Sequence, residues 1–121
     1  MTEKKPFDLL VVPDDEPPVL SGTLYEARAR RLASEVNWHF DRPLNNSDTI
    51  KRIRDADAIV NIRASVQFDR EVLSHCSKLK ILSVWGTGVD HVDLVAASEF
   101  GITVSNTPGY GAPYVSEHAL T

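Results

Sequence analysis

Short apolar segments alternate with amphipathic segments along this 121-residue chain. Residues 7–12 form an apolar run closed by Pro13, which predicts a strand buried on both faces. Thr23 and Glu26 predict a capping box, the start of a helix in which hydroxyl and carboxylate bind opposite ends of the first turn. The apolar positions of this helix recur at spacings of four, three and four: Tyr25, Ala29, Leu32 and Val36.

The same cycle repeats four more times. Further strands are predicted at residues 37–40, 57–62, 80–85 and 102–105. Three helices are predicted between them, beginning at the caps Ser47, Asp69 and Asp93. Their expected buried side chains are Ile50 and Ile53, then Val72, Leu73 and Cys76, then Leu94, Ala97 and Phe100. Gly101 suits a left-handed helix end.

Strands that alternate with helices through short connections predict an α/β fold with right-handed crossovers and a parallel sheet. Five strands in one small domain favour the flavodoxin-like, Rossmann-like order 2-1-3-4-5, with helices on both faces. Ligands of such sheets bind beyond the carboxyl ends of the strands. The loops of interest are therefore residues 13–18, 63–68, 86–92 and 106–113.

Composition narrows the class of partner. A formal net charge of −4 argues against a nucleic-acid partner, since phosphates favour a basic face. No apolar run is long enough to cross a bilayer, and the first residues show no secretion signal. Cys76 has no second cysteine for a disulfide and no companions for a metal site. We therefore expect a cytoplasmic protein without metal, nucleic acid or membrane partner.

The loop after the predicted fourth strand carries the most informative motif. Gly86 and Gly88 can turn successive backbone N–H groups toward one point, and the helix that begins near Asp93 places its positive end close by. A carboxylate or phosphate would suit such a loop. A tight turn that needs glycine and binds nothing explains the same spacing equally well.

This motif is not a dinucleotide fingerprint. The pattern G-x-G-x-x-G needs a third glycine where this chain has His91, and the loop after the first strand, residues 14–18, contains no glycine. No other stretch of the chain matches the pattern. We therefore expect no cofactor bound by these 121 residues.

Three motifs in a fixed order carry a family resemblance. Residues 86–93 read G-x-G-x-D-x-x-D, residues 101–108 read G-I-x-V-x-N-x-P, and residues 115–117 read V-x-E. Together they resemble the D-isomer-specific 2-hydroxyacid dehydrogenases, and most closely the glyoxylate and hydroxypyruvate reductase or glycerate dehydrogenase branch. The resemblance is strong over residues 79–121 and fainter over residues 7–78.

The resemblance implies a substrate site for a small 2-keto or 2-hydroxy carboxylic acid. The backbone of Thr87 and Gly88 would hold the carboxylate, and Arg63 and the Ala64 backbone would face the substrate from the loop after the third strand. Arg63 as a solvated surface charge is an alternative. Where several relatives place an asparagine this chain has Gly111, so that contact is absent or made by a neighbour such as Tyr110.

The resemblance also implies that catalysis needs more than this chain. The arginine, histidine and acid that carry the chemistry in relatives lie beyond Thr121, as does the fold that binds NAD or NADP. Residues 1–113 would be the substrate-side domain and residues 114–121 the start of an interdomain helix, with the cofactor domain as partner. No catalytic residue is assigned: we expect His39, His75, His91 and His118 to be packing or surface residues.

Two other classes of protein compete with this interpretation. A phosphoacceptor receiver domain would use an acidic pair such as Asp14 and Asp15, but needs an aspartate where Asn61 stands and a lysine near Ser105. A non-catalytic small-acid-binding or dimerisation module of the same fold remains open. Such a module would expose an apolar patch that a second copy of the chain covers. We therefore expect a homodimer.

Overall fold

The computed structural model describes residues 5–16, 22–62, 66–85 and 89–106, and within them five strands form one parallel sheet. The strand order is β2-β1-β3-β4-β5, which confirms the predicted flavodoxin-like topology. The strands are β1 (Phe7–Val12), β2 (Ala33–Trp38), β3 (Ala58–Asn61), β4 (Ile81–Val84) and β5 (Thr103–Asn106).

Helices pack on both faces of the sheet because alternate strand residues point to opposite sides. The helices are α1 (Leu24–Leu32), α2 (Asn46–Ile53), α3 (Arg70–Ser74) and α4 (Leu94–Glu99). Leu10 and Val12 of β1 pack with Ala29 of α1, whereas Val11 packs in the larger cluster formed with the other three helices. Phe68 is wholly buried and is among the largest side chains of this larger cluster.

Side-chain caps fix where the helices begin. Asp69 and Asp93 cap α3 and α4 as predicted, each accepting a hydrogen bond from the third amide of its helix at 2.9 Å. At α1, Thr23 Oγ1 accepts from the Tyr25 amide, while Glu26 Oε1 accepts from the Gly22 amide. The reciprocal pairing of the predicted capping box is therefore present, although both partners differ from the usual ones by one residue.

The boundary between α1 and β2 differs from the prediction. The helix ends at Leu32 and the strand begins at Ala33, so Val36 lies in β2 opposite Leu10 rather than on the helix. Val36 and Trp38 alternate with exposed polar residues, and this period of two competes with the helical spacing that we followed. The predicted start of this strand at residue 37 was thus wrong by four residues.

The structure also corrects the predicted cap of α2 and the predicted buried residues of α4. Asn45 and not Ser47 caps α2, and its side-chain oxygen accepts from the Asp48 amide at 2.9 Å. At α4, Leu94 and the C-cap Phe100 are exposed, whereas Ala96 and Ala97 are buried. Small side chains at the contact let this short helix lie close to the sheet, so the large apolar residues face outward.

A buried carboxylate ties together the amino ends of the strands. Asp57, just before β3, is 6% exposed, and its two oxygens accept from the amides of Asp8 and Leu9 at 2.9 and 2.8 Å. Its backbone N–H donates to the Leu9 carbonyl, and its carbonyl accepts from the Lys80 amide. One residue thereby links β1, β3 and the start of β4 at this edge.

Replacing Asp57 with alanine should therefore destabilise the fold. Hydrogen bonds to charged groups contribute about 1.5–3 kcal/mol each, so we expect the free energy of unfolding in urea to fall by about 3 kcal/mol for Asp57→Ala. Asp55→Ala, at an exposed position two residues earlier, is the matched control and should change the free energy by about 0.5 kcal/mol or less. Equal losses for the two variants would contradict this account.

Candidate functional site

The carboxyl ends of β3, β4 and β5 lie side by side. In the registered sheet Asn61 pairs with Val84, and Val84 pairs with Asn106, so three neighbouring strands end at one level. The loops that leave β3 and β4 therefore begin next to each other. This is the edge where ligands of doubly wound sheets bind.

The four residues predicted to contact substrate lie outside the described residues. Arg63 and Ala64 fall in the gap at 63–65, and Thr87 and Gly88 fall in the gap at 86–88. Tyr110 and Gly111 also lie outside, as does the boundary predicted at residue 113. The structure does describe the residues on both sides of the two short gaps, and these flanks define the site.

The flanks of the two loops are bound to each other. The Trp85 amide donates to the Asn61 carbonyl at 2.8 Å, immediately before the glycine loop. Beyond the loops, the Phe68 amide donates to the His91 carbonyl at 2.8 Å and the Asp93 amide donates to the Phe68 carbonyl at 2.9 Å. The loops 63–65 and 86–88 are thus joined at both of their ends.

A polar pair formed by buried Asn61 and partly buried His91 strengthens this junction. The His91 ring nitrogen Nε2 lies 2.6 Å from Asn61 Oδ1, and Asn61 is 1% exposed. Because an amide oxygen can only accept, His91 Nε2 carries the proton. Burial lowers the pKa of His91, partly opposed by the nearby Asp90 carboxylate, so the ring is held in its neutral form. Sequence reasoning placed His91 at the loop but could not identify its partner.

The start of α4 contributes less to anion binding than the sequence suggested. The helix has six residues, and the Asp93 carboxylate accepts from the Ala96 amide at its first turn. A negative group already occupies this helix start, so the helix dipole is largely compensated there. An anion at the glycine loop would depend on the loop amides themselves.

The end of β1 does not fit a dinucleotide. Asp14 and Asp15 are both wholly buried there. The Trp38 indole N–H donates to Asp15 Oδ2 at 3.0 Å, and Asp14 Oδ1 accepts from the Glu16 amide. Two carboxylates at this position would repel a pyrophosphate, whose usual cradle is a glycine-rich turn at a helix start. Asn61 likewise stands where a receiver domain needs its phosphoacceptor aspartate.

The Arg52 side chain binds the segment after β2 to the end of β1. Arg52 donates to the Pro13 carbonyl at 2.9 Å and lies 3.0 Å from Asp41 Oδ2. Burial lowers the pKa of the nearby His39, as does the Arg52 charge, while the Asp41 and Asp48 carboxylates oppose the shift. His39 follows β2 and is half-buried, in agreement with the expected edge position.

Other candidate groups do not form a site. Cys76 is buried as predicted but lies two residues beyond the end of α3, and burial raises the pKa of its thiol to about 11. It is therefore an inert apolar residue at neutral pH. In the described parts of the chain, no cluster of three or more His, Cys, Asp or Glu side chains could hold a metal ion. No helix there is long and apolar enough to span a bilayer.

An open groove of about 860 Å³ lies at the opposite, amino-terminal edge of the sheet. Asp57, Glu35 and Lys80 are among its lining residues. The groove mixes charges of both signs, and the Asp57 carboxylate in it is already bound by two amides. The carboxyl edge remains the better candidate, because the geometry of doubly wound parallel sheets brings ligand-binding loops together there.

The two lowered histidine pKa values predict a pH dependence of stability. Because the folded-state pKa of His39 and His91 lies below the ordinary 6.5, the unfolded chain binds more protons in mild acid. The free energy of unfolding should be highest above pH 6.5 and should decrease as the pH falls below that value. Urea titrations of wild type, His39→Gln and His91→Gln from about pH 7.5 to about pH 5.5 should show a smaller fall in each variant. Exposed His75→Gln is the control, and variants with the wild-type profile would refute the prediction.

Known proteins resemble this chain in both sequence and structure. A Haemophilus influenzae protein named as a 2-hydroxyacid dehydrogenase is 40% identical over 90 residues, which are 74% of this chain and 28% of that protein. The glyoxylate reductase of Thermofilum pendens is 34% identical over 80 residues, 66% of this chain and 23% of the enzyme. The chain thus spans less than a third of the length of these relatives.

Solved structures agree with the sequence matches. The NAD⁺-bound 3-phosphoglycerate dehydrogenase of Entamoeba histolytica superposes with a TM-score of 0.69 at 27% identity, covering 93% of this chain and 36% of that one. A Thermus thermophilus protein gives a TM-score of 0.68 at 32% identity, covering 84% and 30% of the two chains. The family model for the catalytic domain of the D-isomer specific 2-hydroxyacid dehydrogenases matches residues 19–119. The parallel sheet, the ordered motifs and this match together place the chain in that family, to which it belongs.

Proposed function

We propose that this chain forms the substrate-side domain of an NAD(P)-dependent D-2-hydroxyacid dehydrogenase and binds the carboxylate of a small 2-keto acid. The backbone amides of Thr87 and Gly88 would receive that carboxylate, with Arg63 and the Ala64 amide facing the rest of the substrate. The observation that carries the proposal is the fixed junction of the two loops at the carboxyl edge, where Asn61 and His91 join their flanks.

The physical role of the loop follows from the chemistry of 2-keto acid reduction. Hydride addition at C2 together with protonation of the keto oxygen gives a hydroxyl, while the carboxylate next to it keeps its charge. A site that holds the carboxylate by oriented backbone amides fixes which face of C2 is presented for reduction. Arg63, close behind β3 in the sequence, would add a charge-assisted contact that amides alone cannot give.

The nicotinamide cofactor, NAD or NADP, would be bound by the cofactor domain of the complete enzyme. The described residues do not fit it, because the end of β1 carries the buried Asp14 and Asp15 in place of a glycine-rich turn. This chain would therefore contribute binding and orientation, and the cofactor, when bound, would supply the hydride. For this reason we propose that the 121 residues alone have no turnover.

Glyoxylate and hydroxypyruvate are the proposed substrates. Both are small 2-keto acids that a short amide-lined loop can hold, and a glyoxylate reductase is among the relatives. Other relatives carry the name D-3-phosphoglycerate dehydrogenase, so a phosphorylated 2-hydroxy acid is the competing substrate class. Parallel titrations with glyoxylate and 3-phosphoglycerate distinguish the two.

A cytoplasmic homodimer is part of the same proposal. Leu94, Val95 and Phe100 are 48%, 64% and 42% exposed, which concentrates large apolar side chains on and beside α4. Exposed apolar groups of this size are typical of surfaces that another protein covers. The same observation favours the alternative function, a non-catalytic small-acid-binding or dimerisation module of this fold.

Glyoxylate should perturb the amide signals of the glycine loop. In ¹⁵N-correlated NMR spectra of the chain we expect Thr87 and Gly88 to shift on titration, because their N–H groups change partner from water to carboxylate. Arg63→Ala should weaken the apparent affinity about tenfold, the equivalent of one charge-assisted hydrogen bond of about 1.4 kcal/mol. Arg31→Ala, at an exposed position on α1, should leave the affinity unchanged. Shifts confined to residues away from both loops would refute the site.

The isolated chain should not oxidise NADH or NADPH. With glyoxylate present we expect the absorbance of the reduced cofactor to stay constant, since the chain offers no dinucleotide cradle among its described residues. The reaction without glyoxylate and a reaction with an intact family member are the controls. Steady, glyoxylate-dependent loss of NADH absorbance by the purified chain would overturn this part of the proposal.

A further inference from the structure

We infer that Asn61 and His91 are positioning residues that hold together the flanks of the two substrate loops and so set the affinity for the substrate carboxylate. This role rests on the proposed function and assigns the two residues to holding the loop flanks. Asn61 precedes the gap at 63–65 and His91 follows the gap at 86–88, so the contacts of the pair belong to the described part of the chain.

The Asn61–His91 pair is polar, although buried apolar side chains surround Asn61 in the sequence and in the sheet. Asn61 is 1% exposed and is registered with buried Val84 on the next strand. The neighbouring Val66 and Phe68 are apolar and equally buried. Burying an amide costs free energy unless its hydrogen bonds are made, and apolar residues of similar volume avoid that cost. The hydrogen bond therefore fixes the relative orientation of the two side chains, which a contact between hydrocarbon groups would not do.

Both ends of the glycine loop are held by Asn61. Its carbonyl accepts from the amide of Trp85, the residue before the loop. Its side-chain oxygen lies 2.6 Å from Nε2 of His91, three residues after the loop. A single residue of β3 thus fixes where the loop leaves the sheet and where it returns.

The far end of the other loop is held by His91. The Phe68 amide, three residues beyond the gap at 63–65, donates to the His91 carbonyl at 2.8 Å. Phe68 and Val92 also form an isolated parallel bridge, and the two aromatic rings of Phe68 and His91 lie 6.2 Å apart. His91 is therefore bound to the flanks of both loops, through Asn61 before the gap at 63–65 and through Phe68 after it.

A matched pair of variants tests the role of the ring nitrogen. Glutamine at position 91 can place a side-chain N–H near the position of Nε2, whereas asparagine is one methylene shorter and cannot reach Asn61. Both are neutral amides, so they differ chiefly in reach. His75→Asn, at an exposed position after α3, controls for the substitution itself.

Oxalate is the probe, since it is an unreactive carboxylate of the size of glyoxylate. We expect His91→Gln and His75→Asn to bind oxalate with wild-type affinity, and His91→Asn to bind it about tenfold more weakly, followed through the Thr87 and Gly88 amide signals. Equal oxalate affinity for the asparagine and glutamine variants at position 91 would overturn the inference. If His91→Asn proves unfolded by NMR dispersion, Asn61→Ala, which removes the acceptor instead, replaces it with the same expected loss.

A second readout separates this inference from the proposed function. Imidazole ¹⁵N shifts of the wild-type chain should report the neutral tautomer protonated at Nε2, and amide hydrogen exchange in residues 85–91 should be faster in His91→Asn than in His91→Gln. If the wild-type chain does not bind oxalate, the proposed carboxylate site is refuted. The positioning role would then be decided by exchange alone: equal exchange rates in the two variants would refute it.

Discussion

The hydrogen bond from the Trp85 amide to the Asn61 carbonyl is the contact on which the carboxyl edge of this sheet depends. It is the last hydrogen bond between β3 and β4, and it determines the residue at which each of these two strands leaves the sheet. A shift of one residue in this register would turn every side chain of β4 to the opposite face, exchanging Leu82 and Val84 for Ser83 in the larger core cluster. The positions of the loops thus follow from core packing.

Core packing also explains how much of the fold could be predicted. Parallel strands covered on both faces need nearly continuous apolar runs, and such runs stand out from the helical spacing between them. The strand order followed because right-handed crossovers leave few alternatives. The boundary at Leu32 and Ala33 could not be predicted in the same way, since Val36 satisfies both a period of two and a spacing of four from Leu32.

The site was predictable only in part, because its contacts join residues far apart in sequence. The glycine loop and its family pattern can be recognised from local spacing. The pairing of His91 with Asn61 joins residues 30 positions apart, and that of Asp57 with Asp8 joins residues 49 apart, so neither leaves a local pattern.

The direct passage from α1 into β2 restricts how this domain can change in length. Leu32 ends the helix and Ala33 begins the strand, so no residue between them can absorb an insertion. One added residue there would turn Val36 and Trp38 away from the cluster they share with Ala29 and present Glu35 and Asn37 to it instead. Two added residues would restore the facing but slide β2 along β1. At this junction, therefore, substitutions can preserve both the core contacts and the register of β2, whereas changes in length cannot.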